Sequence, residues 1–332
     1  MKTLFLGSVV ERSGKTMITL GLALNHPGKV GYYKPFRERL ISRGDRVIDQ
    51  DTYLMRKVLN LKRTEEELSP LFYDVSNPVS MDDVIHGFNT VKCDCDEMFV
   101  EGTREVTTGY LNDLSGMAIA QALHADMVLI STAQPTDLDK IGMFNQLLKS
   151  YNVRFRGVIL NQSEDDRMAK LLERKGITVL GRIPTLRQLR TFTVREVKEA
   201  LDADVVVADD RLNKEVERVM VGAMTPETAI TVLRRHAKKA IITGGDRSDI
   251  QMAALQTDTS CLVLTGGLYP AATVVAKAYE TGVPILVTRQ DTLEAAEKVE
   301  HLIARIDPDH QDRLDLVRNT VREHVDIRAL FE

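Results

Sequence analysis

Residues 7–16, GSVVERSGKT, place two glycines, a lysine and a threonine between an apolar run and a helical pattern. In a loop that joins a strand to a helix, backbone N–H groups point toward a bound phosphate. Lys15 can then reach the β- and γ-phosphates, and the Thr16 hydroxyl can ligate Mg²⁺. The alternative is a glycine turn with a solvated lysine, but sequence, spacing and context together favour a nucleotide site. The predicted nucleotide ligands are Gly7, Ser13, Gly14, Lys15 and Thr16.

Other polar residues stand near the ends of apolar runs, where a parallel sheet gathers its ligand-binding groups. Lys34 is suited to neutralise a phosphate or a substrate carboxylate, and a solvated surface lysine is the alternative. Glu101 can hold Mg²⁺ directly or through water. Asn161 can hydrogen-bond a nucleobase edge, and adenine is expected because no Asn-Lys-x-Asp set follows it. Asp49 and Asp51 precede a helical pattern, where helix capping is the simplest role.

Apolar strand-like runs alternate with helical patterns almost throughout, which predicts parallel sheets covered by helices. In the first part of the chain the strands are expected near 2–7, 29–34, 97–101, 126–131, 155–160 and 178–183. The helices are expected near 15–26, 49–60, 112–124, 137–150 and 165–175. This pattern indicates a doubly wound, mostly parallel α/β sheet with its ligand site at the carboxyl ends of the strands.

A second α/β unit is expected after a short charged linker. Its strands are expected near 204–207, 217–222, 239–243, 261–265 and 284–287, and its helices near 226–235, 248–257, 270–280 and 291–305. Two glycine pairs follow neighbouring strands and predict a pocket for an anionic or nucleotide ligand, although tight strand-to-helix turns explain them equally well. The predicted ligand residues are Gly245, Asp246, Arg247, Thr265, Gly266 and Gly267. A charged helical pattern after residue 307 is expected to pack on this unit or on a partner.

Composition narrows the classes of function. The 332 residues exceed the usual size of one core, and the net charge of −4 argues against nucleic-acid binding. No apolar run approaches the ~18 residues of a membrane span, and the immediate first strand leaves no room for a signal peptide. Three cysteines without a scaffold spacing are typical of a reducing compartment, so a cytoplasmic protein is expected. Cys93 and Cys95 form a lone C-x-C, which does not predict a zinc site.

The first domain resembles the dethiobiotin synthetase-like P-loop family, whose fold is shared with cobyrinic acid a,c-diamide synthases. The resemblance rests on residues 7–16, Tyr33-Lys34-Pro35, the helix at Asp51, Val100-Glu101-Gly102 and Asn161 at a strand end. Dethiobiotin synthetases usually follow the Glu-Gly pair with Ala-Gly-Gly, whereas residues 103–105 here are Thr-Arg-Glu. This departure argues against carboxylation of a diamine. The cysteines also lack the glycine-rich elbow of a glutamine amidotransferase, so glutamine-dependent amidation is not expected.

The resemblance implies roles for the site residues, with ATP and Mg²⁺ as cofactors. Lys15 and Thr16 would bind phosphate, and Lys15 and Lys34 would be the catalytic residues. Lys34 would face the γ-phosphate or a substrate, and Asn161 would meet adenine. The Mg²⁺ ligands would be Thr16, Asp51 and Glu101.

Residues 192–306 resemble the DRTGG domain. The matching segments are Val221-Gly222-Ala223-Met224, residues 245–249, Leu264-Thr265-Gly266-Gly267, Pro284 and Asp291-Thr292. A dethiobiotin synthetase-like domain followed by DRTGG is the arrangement of the N-terminal, non-catalytic half of long bacterial phosphotransacetylases. The resemblance implies a regulatory region that responds to nucleotides and metabolites and forms a homodimer or a higher homo-oligomer. The expected organisation is a P-loop ATP-binding domain at 1–184, a linker at 185–191, a DRTGG domain at 192–306 and a C-terminal helix at 307–332.

Two functions are compatible with these features, and a purely structural scaffold is a third, minor possibility. The favoured hypothesis is a stand-alone regulatory protein that binds ATP and Mg²⁺ and senses nucleotide, acyl or organic-acid metabolites. Slow ATP hydrolysis is compatible with this hypothesis. The hypothesis is favoured because the acyl-phosphate transferase domain of long phosphotransacetylases is missing from this sequence. The alternative is an ATP-dependent ligase or synthase of the dethiobiotin or cobyrinic acid type that activates a carboxylate. Its support is the intact Gly14-Lys15-Thr16.

Overall fold

The computed structural model of the chain describes residues 1–43, 46–76, 79–92, 94–189, 191–300, 302 and 306–331. Cys93, residue 190 of the predicted linker and parts of the predicted DRTGG domain after residue 300 lie outside these residues. The chain divides into two compact units, one formed by Met1–Thr185 with Ile306–Glu332 and the other by Leu186–Arg305. In the described part of the chain, no helix is both long enough and apolar enough to cross a bilayer.

The first unit is built on parallel strands. Its strands are β1 (Lys2–Ser8), β2 (Val30–Tyr33), β3 (Leu40–Arg43), β4 (Arg46–Asp49), β5 (Glu97–Glu101), β6 (Asp126–Thr132), β7 (Phe155–Asn161) and β8 (Val179–Ile183). Six of them form one sheet in the order β2-β5-β1-β6-β7-β8, and every neighbouring pair is parallel. Leu4, Phe5 and Leu6 are all buried, as expected for a central strand that is covered on both faces. The predicted mostly parallel sheet is therefore confirmed.

Helices connect these strands. They are α1 (Lys15–Asn25), α2 (Gln50–Val58), α3 (Glu65–Leu68), α4 (Met81–Val91), α5 (Gly116–Ala122), α6 (Pro135–Ser150) and α7 (Arg167–Arg174). The prediction placed one helix over 112–124, but α5 is shorter because Ser115 caps its first turn by accepting from the Ala118 N–H. Helix α4 and the antiparallel β3–β4 hairpin were missing from the prediction. Both lie between β2 and β5, in a stretch that the apolar pattern left unassigned.

The second unit carries a mixed sheet. Its elements are β9 (Phe192–Thr193), α8 (Val194–Leu201), β10 (Asp204–Val207), β11 (Glu215–Val216), β12 (Arg218–Val221), α9 (Pro226–Leu233), β13 (Lys239–Gly244), α10 (Ser248–Leu255), β14 (Thr259–Thr265), α11 (Ala272–Thr281), β15 (Ile285–Val287) and α12 (Thr292–Glu300). Five strands form a sheet in the order β10-β15-β14-β13-β12. The edge strand β10 pairs antiparallel with β15, whereas the other pairs are parallel. Buried aliphatic side chains pack on both faces of this sheet.

The last segment returns to the first unit as α13 (Gln311–His324) and α14 (Ile327–Phe331). Asn25, at the end of α1, donates its amide to the Arg318 carbonyl at 2.8 Å. The Asp326 N–H donates to the Leu180 carbonyl of β8 at 2.7 Å. The expectation that this helix packs on the second unit or on a partner is corrected here, because its apolar face, including Val317 and Val321, is buried within the first unit.

Candidate functional site

The P-loop lies between β1 and α1, at the carboxyl edge of the first sheet. Gly7 lies inside β1 itself, and Gly14 directly precedes α1 with a φ of +87°. A Cβ on Gly14 would lie 2.1 Å from Nδ2 of Asn161, so both the backbone conformation and the space require glycine. The Ser13 hydroxyl donates to the Ser8 hydroxyl at 3.0 Å. These contacts tie the loop to the ends of β1 and β7.

Glu101 connects the P-loop to the neighbouring strand. It ends β5, and its backbone is in register with Leu6 of β1. Its Oε1 atom accepts from Lys15 Nζ at 3.1 Å and from the Thr16 hydroxyl at 2.7 Å. The Glu101 side chain is fully buried, so both charges of this ion pair are shielded from water. The structure thus brings Glu101 together with Lys15 and Thr16, from which it is 86 and 85 positions distant in the chain.

Tyr32 is a member of this cluster that the sequence analysis missed. Its hydroxyl donates to Oε2 of Glu101 at 3.0 Å, and its side chain is buried on β2. Burial, together with the negative charges of Glu101 and Asp51, raises the pKa of Tyr32, so the phenol keeps its proton and remains a donor. Because side chains alternate along a strand, Tyr32 and Lys34 point to the same face. This alternation was the signal that could have identified Tyr32.

Lys34 lies in a pocket of carboxylates just beyond the end of β2. Its Nζ atom is 2.7 Å from Asp51 Oδ2 and 3.0 Å from Asp49 Oδ2, and Glu38 lies 3.9 Å away. Asp49 also caps α2, because its Oδ1 atom accepts from the Thr52 N–H at 2.9 Å. The capping role expected for Asp49 is therefore present, and the pairing with Lys34 is an addition that the sequence analysis missed.

The electrostatics of this pocket keep its groups charged. Burial opposes the charge on Lys34, but Asp51, Asp49 and Glu101 outweigh it and raise the pKa of Lys34. Burial likewise favours neutral Asp51, yet Lys34 and Arg39 outweigh it and lower the pKa of Asp51 to about 2. Lys34 thus pairs directly with Asp51, and the negative charge of Glu101 also favours the charged form of Lys34.

The oxygen atoms of Thr16, Asp51 and Glu101 suit a hard cation such as Mg²⁺. Among the described residues, no group of three or more His, Cys, Asp or Glu side chains is arranged to hold a metal ion. Mg²⁺ is commonly bound through one or two carboxylates, with phosphate oxygens and water completing the octahedron. The donor set therefore fits a cation that arrives with a nucleotide, and the assignment of these three ligands stays a prediction.

Asn161 supports the P-loop from the end of β7. Its Nδ2 atom donates to the Ser13 carbonyl at 2.8 Å, and its Oδ1 atom accepts from the Gln162 N–H at 3.0 Å. The side chain is buried. The contacts seen here brace the loop, and the predicted contact between Asn161 and adenine stays a prediction.

The predicted ligand residues of the second unit gather at the carboxyl edge of its sheet. Arg247 pairs with Asp249 at 2.9 Å and donates to the Met224 carbonyl at 3.0 Å. Thr265 shares a hydrogen bond of 2.9 Å with the Thr292 hydroxyl. The two glycine loops touch, because a Cβ on Gly245 would lie 2.1 Å from the Leu268 carbonyl oxygen. The loops are thus neighbours, as predicted, while their ligand role stays a prediction.

Gln251 lies beneath these loops and was also missed. Its Nε2 atom donates to the carbonyls of Gly244 and Gly245 at 3.0 and 3.1 Å. The side chain is fully buried, and its Oε1 atom has no hydrogen-bond partner among the described residues. A polar residue on the otherwise apolar buried face of α10 was the signal that could have identified it.

Both units match families of known proteins. A model of the AAA domain family matches residues 2–193, and a model of the DRTGG domain matches residues 196–302. Phosphate acetyltransferase from Nitrosomonas europaea is 27% identical, over 98% of this chain and 50% of that protein. ATP-dependent dethiobiotin synthetase BioD from Bacillus thuringiensis is 23% identical, over 63% of this chain and 93% of that protein. The chain spans about half the length of the phosphate acetyltransferases that it matches.

A solved structure of the septum site-determining protein MinD from Pyrococcus horikoshii, complexed with Mg-ADP, covers 57% of this chain and 83% of that protein at a TM-score of 0.37 and 15% identity. The family matches confirm the predicted resemblance to a dethiobiotin synthetase-like P-loop domain followed by a DRTGG domain, as in phosphotransacetylases. The chain belongs to the AAA domain family through residues 2–193, and it carries a DRTGG domain over residues 196–302.

Proposed function

We propose that this chain is a regulatory protein that binds ATP with Mg²⁺ in its P-loop unit and senses a nucleotide or an acyl metabolite through its DRTGG domain. The observation that carries the nucleotide part is the Glu101 carboxylate, which holds both Lys15 and Thr16 at the end of the P-loop. The regulatory part is supported by the pairing of the two domains, which the chain shares with phosphate acetyltransferases over about half of their length.

The geometry suggests how this site receives a nucleotide. Loop N–H groups and the amino end of α1 provide donors for the phosphates. Lys15 exchanges Glu101 for phosphate oxygens, which frees the buried carboxylate to face the cation together with the Thr16 hydroxyl. Lys34, held by Asp49 and Asp51, supplies positive charge near the terminal phosphate. Slow ATP hydrolysis is compatible with this arrangement, since positioned charge is the main requirement of phosphoryl transfer.

Calorimetry with Mg·ATP tests the proposal through Lys15→Ala. We expect this substitution to abolish measurable binding, because the phosphates lose their principal cation. Lys29→Ala is the matched control, since Lys29 is an exposed lysine just before β2, at the amino end of the same sheet. Equal affinity of the Lys15→Ala and Lys29→Ala proteins would contradict the nucleotide site.

The sensing role is tested separately in the DRTGG domain. In the Lys15→Ala background, a thermal shift caused by ATP, AMP, acetyl-CoA or acetyl phosphate would report a ligand outside the P-loop. We expect the joint substitution of Asp246→Ala and Arg247→Ala to remove that shift. A background protein that responds to none of these four compounds would contradict the sensing role and leave the P-loop proposal standing.

A second candidate function is an ATP-dependent ligase that activates a carboxylate. The observation that favours it is the fully buried Lys34, a cation enclosed by two carboxylates beside the P-loop, which simple nucleotide binding does not require. A ligase would release ADP faster when its carboxylate or amine substrate is present. Screening a panel of organic acids and amines for accelerated ADP release tests this, and a flat response across the panel would exclude it.

A further inference from the structure

The two oxygens of the Glu101 carboxylate have different kinds of donor. Oε1 accepts from Lys15 and Thr16, which both belong to the start of α1. Oε2 accepts from Tyr32 at 3.0 Å, and Tyr32 belongs to β2. A buried carboxylate is costly unless its oxygens are hydrogen-bonded, so both kinds of donor stabilise Glu101 in the free protein.

Nucleotide binding replaces the donors to Oε1 of Glu101 and leaves the Tyr32 donor to Oε2 in place. This step rests on the proposed function, in which Lys15 turns to the phosphates and the Thr16 hydroxyl faces the cation. Tyr32 sits on a strand paired in parallel with β5, and its side chain is 1% exposed. Its hydroxyl is therefore fixed relative to Glu101 independently of the P-loop. The Tyr32 bond is the contact to Glu101 that persists when the P-loop side chains are engaged by the ligand.

We propose that Tyr32 is a positioning residue that holds the Glu101 carboxylate toward the magnesium–nucleotide complex. It acts through Glu101 and does not itself touch the nucleotide. In the free protein, Lys15 and Thr16 still hold Glu101 when the phenol hydroxyl is lost. In the complex, Oε2 would lose its donor while Oε1 faces the cation. Loss of the hydroxyl therefore weakens the complex more than it weakens the free protein.

The next residue provides a matched control. Tyr33 is also a buried tyrosine of β2, and its side chain is 0% exposed. Because side chains alternate along a strand, Tyr33 points to the opposite face, where its hydroxyl donates to the Val84 carbonyl of α4 at 2.9 Å. Tyr33→Phe therefore removes one buried phenol hydrogen bond from the same strand without touching Glu101.

Calorimetry with the non-hydrolysable analogue AMPPNP, with Mg²⁺ and with EDTA, tests this role. We expect Tyr32→Phe to weaken Mg·AMPPNP binding about tenfold, which is the usual size of a hydrogen bond to a charged group. Metal-free AMPPNP should bind the Tyr32→Phe and wild-type proteins equally. Tyr33→Phe should bind Mg·AMPPNP within about twofold of wild type, since its hydrogen bond lies on the other face of the sheet.

Four results would overturn the positioning role. The two variants could lose Mg·AMPPNP affinity equally, or Tyr32→Phe could lose as much affinity in EDTA as in Mg²⁺. Tyr32→Phe could also melt far below Tyr33→Phe by circular dichroism, which would make the Tyr32 hydroxyl a support of the fold. A wild-type protein that binds no AMPPNP contradicts the proposed function itself. Wild-type binding that Tyr32→Phe leaves unchanged contradicts only the role of Tyr32.

Discussion

The carboxyl edges of the two main sheets have the same order of strand, loop and helix but differ in the charged residues behind the loops. In both units, glycine-bearing loops follow parallel strands and lead into helices. Behind the loop of the first unit, Lys34 and Asp51 form an ion pair whose side chains are only 1% and 10% exposed. In the second unit, Arg247 and Asp249 form a pair whose side chains are 37% and 42% exposed, and the buried group behind the loop is the neutral amide of Gln251.

This difference separates two kinds of ligand recognition. Buried charges are kept only where partners compensate them, and they act strongly on a ligand because little water screens them. Such a site suits a polyphosphate that arrives with a cation. The second edge offers backbone groups, hydroxyls and a screened arginine, which suits a ligand recognised mainly by hydrogen bonds. We therefore expect substitutions of charged residues to have large effects on stability in the first unit and small effects on stability in the second.

The largest expected effect is the loss of a buried cation. Lys34→Ala leaves Asp49 and Asp51 without their main partner, and we expect it to destabilise the first unit by about 3–5 kcal/mol. Arg247→Ala should cost less than about 1 kcal/mol, because its ion pair is exposed. Urea denaturation followed by circular dichroism measures both. Similar costs for the two variants would remove the contrast between the two edges.

Glycine substitutions compare the loops themselves. Gly14→Ala should destabilise the protein by about 2–3 kcal/mol, through left-handed backbone strain and displacement of the Asn161 amide. Gly267→Ala is the counterpart, because Gly267 has a φ of +68° and a Cβ there would meet its nearest atom at 3.9 Å. It should cost about 1–2 kcal/mol from backbone strain alone. Adding Asn161→Ala to Gly14→Ala should produce a non-additive recovery in a double-mutant cycle.

Glu97 shows the effect of a buried carboxylate with incomplete compensation. It lies at the amino end of β5, where burial, together with the negative charge of Asp126, raises its pKa to about 7 against the positive charges of Lys2 and Arg156. The unfolded chain has the lower pKa, so the stability of the folded state falls as the pH rises from 4.5 to about 7. Glu97→Gln should therefore stabilise the protein by about 2 kcal/mol at pH 8 and have little effect at pH 5.

Thermal denaturation at the two pH values measures this effect. Glu217→Gln is the control in the second unit, because the Glu217 side chain is 48% exposed and pairs with Lys238 at the surface. Its effect should stay below about 0.5 kcal/mol at both pH values. A Glu97→Gln protein with the same stability gain at pH 5 and pH 8 would show that titration of Glu97 is not the cause.

The strands and the P-loop were predictable because their signals are local. Strands β1, β6 and β7 are continuous apolar runs, which is the pattern of strands buried on both faces. Helices α4 and α8 were missed although each begins with a capping box, at Ser80 and at Thr193. The β3–β4 hairpin was missed because its short strands carry several polar residues and give no apolar run.

The sequence predicted which residues belong to the candidate site, but it did not predict which of them contact one another. Lys15 was chosen from the spacing of the Gly-Lys-Thr loop, and Lys34 and Glu101 because each stands at the end of an apolar run. Asp51 was added through the resemblance to the P-loop family. The contact between Lys15 and Glu101 joins residues 86 positions apart, and it exists because β5 is the neighbour of β1. No local pattern distinguishes this strand order from others, so the pairing could not be read from the residues alone.

The sequence by itself determined the P-loop, the two α/β units and the polar residues at the strand ends, because these depend on short-range spacing and on apolar periodicity. The tertiary structure decided which donors each carboxylate receives. Strand order placed the Tyr32 hydroxyl against Glu101, because β2 is the neighbour of β5. The tertiary structure also decided that α13 packs on α1 within the first unit. Both outcomes depend on contacts between residues that are distant in the chain. Only the burial of side chains in the folded protein selects which of these residues meet.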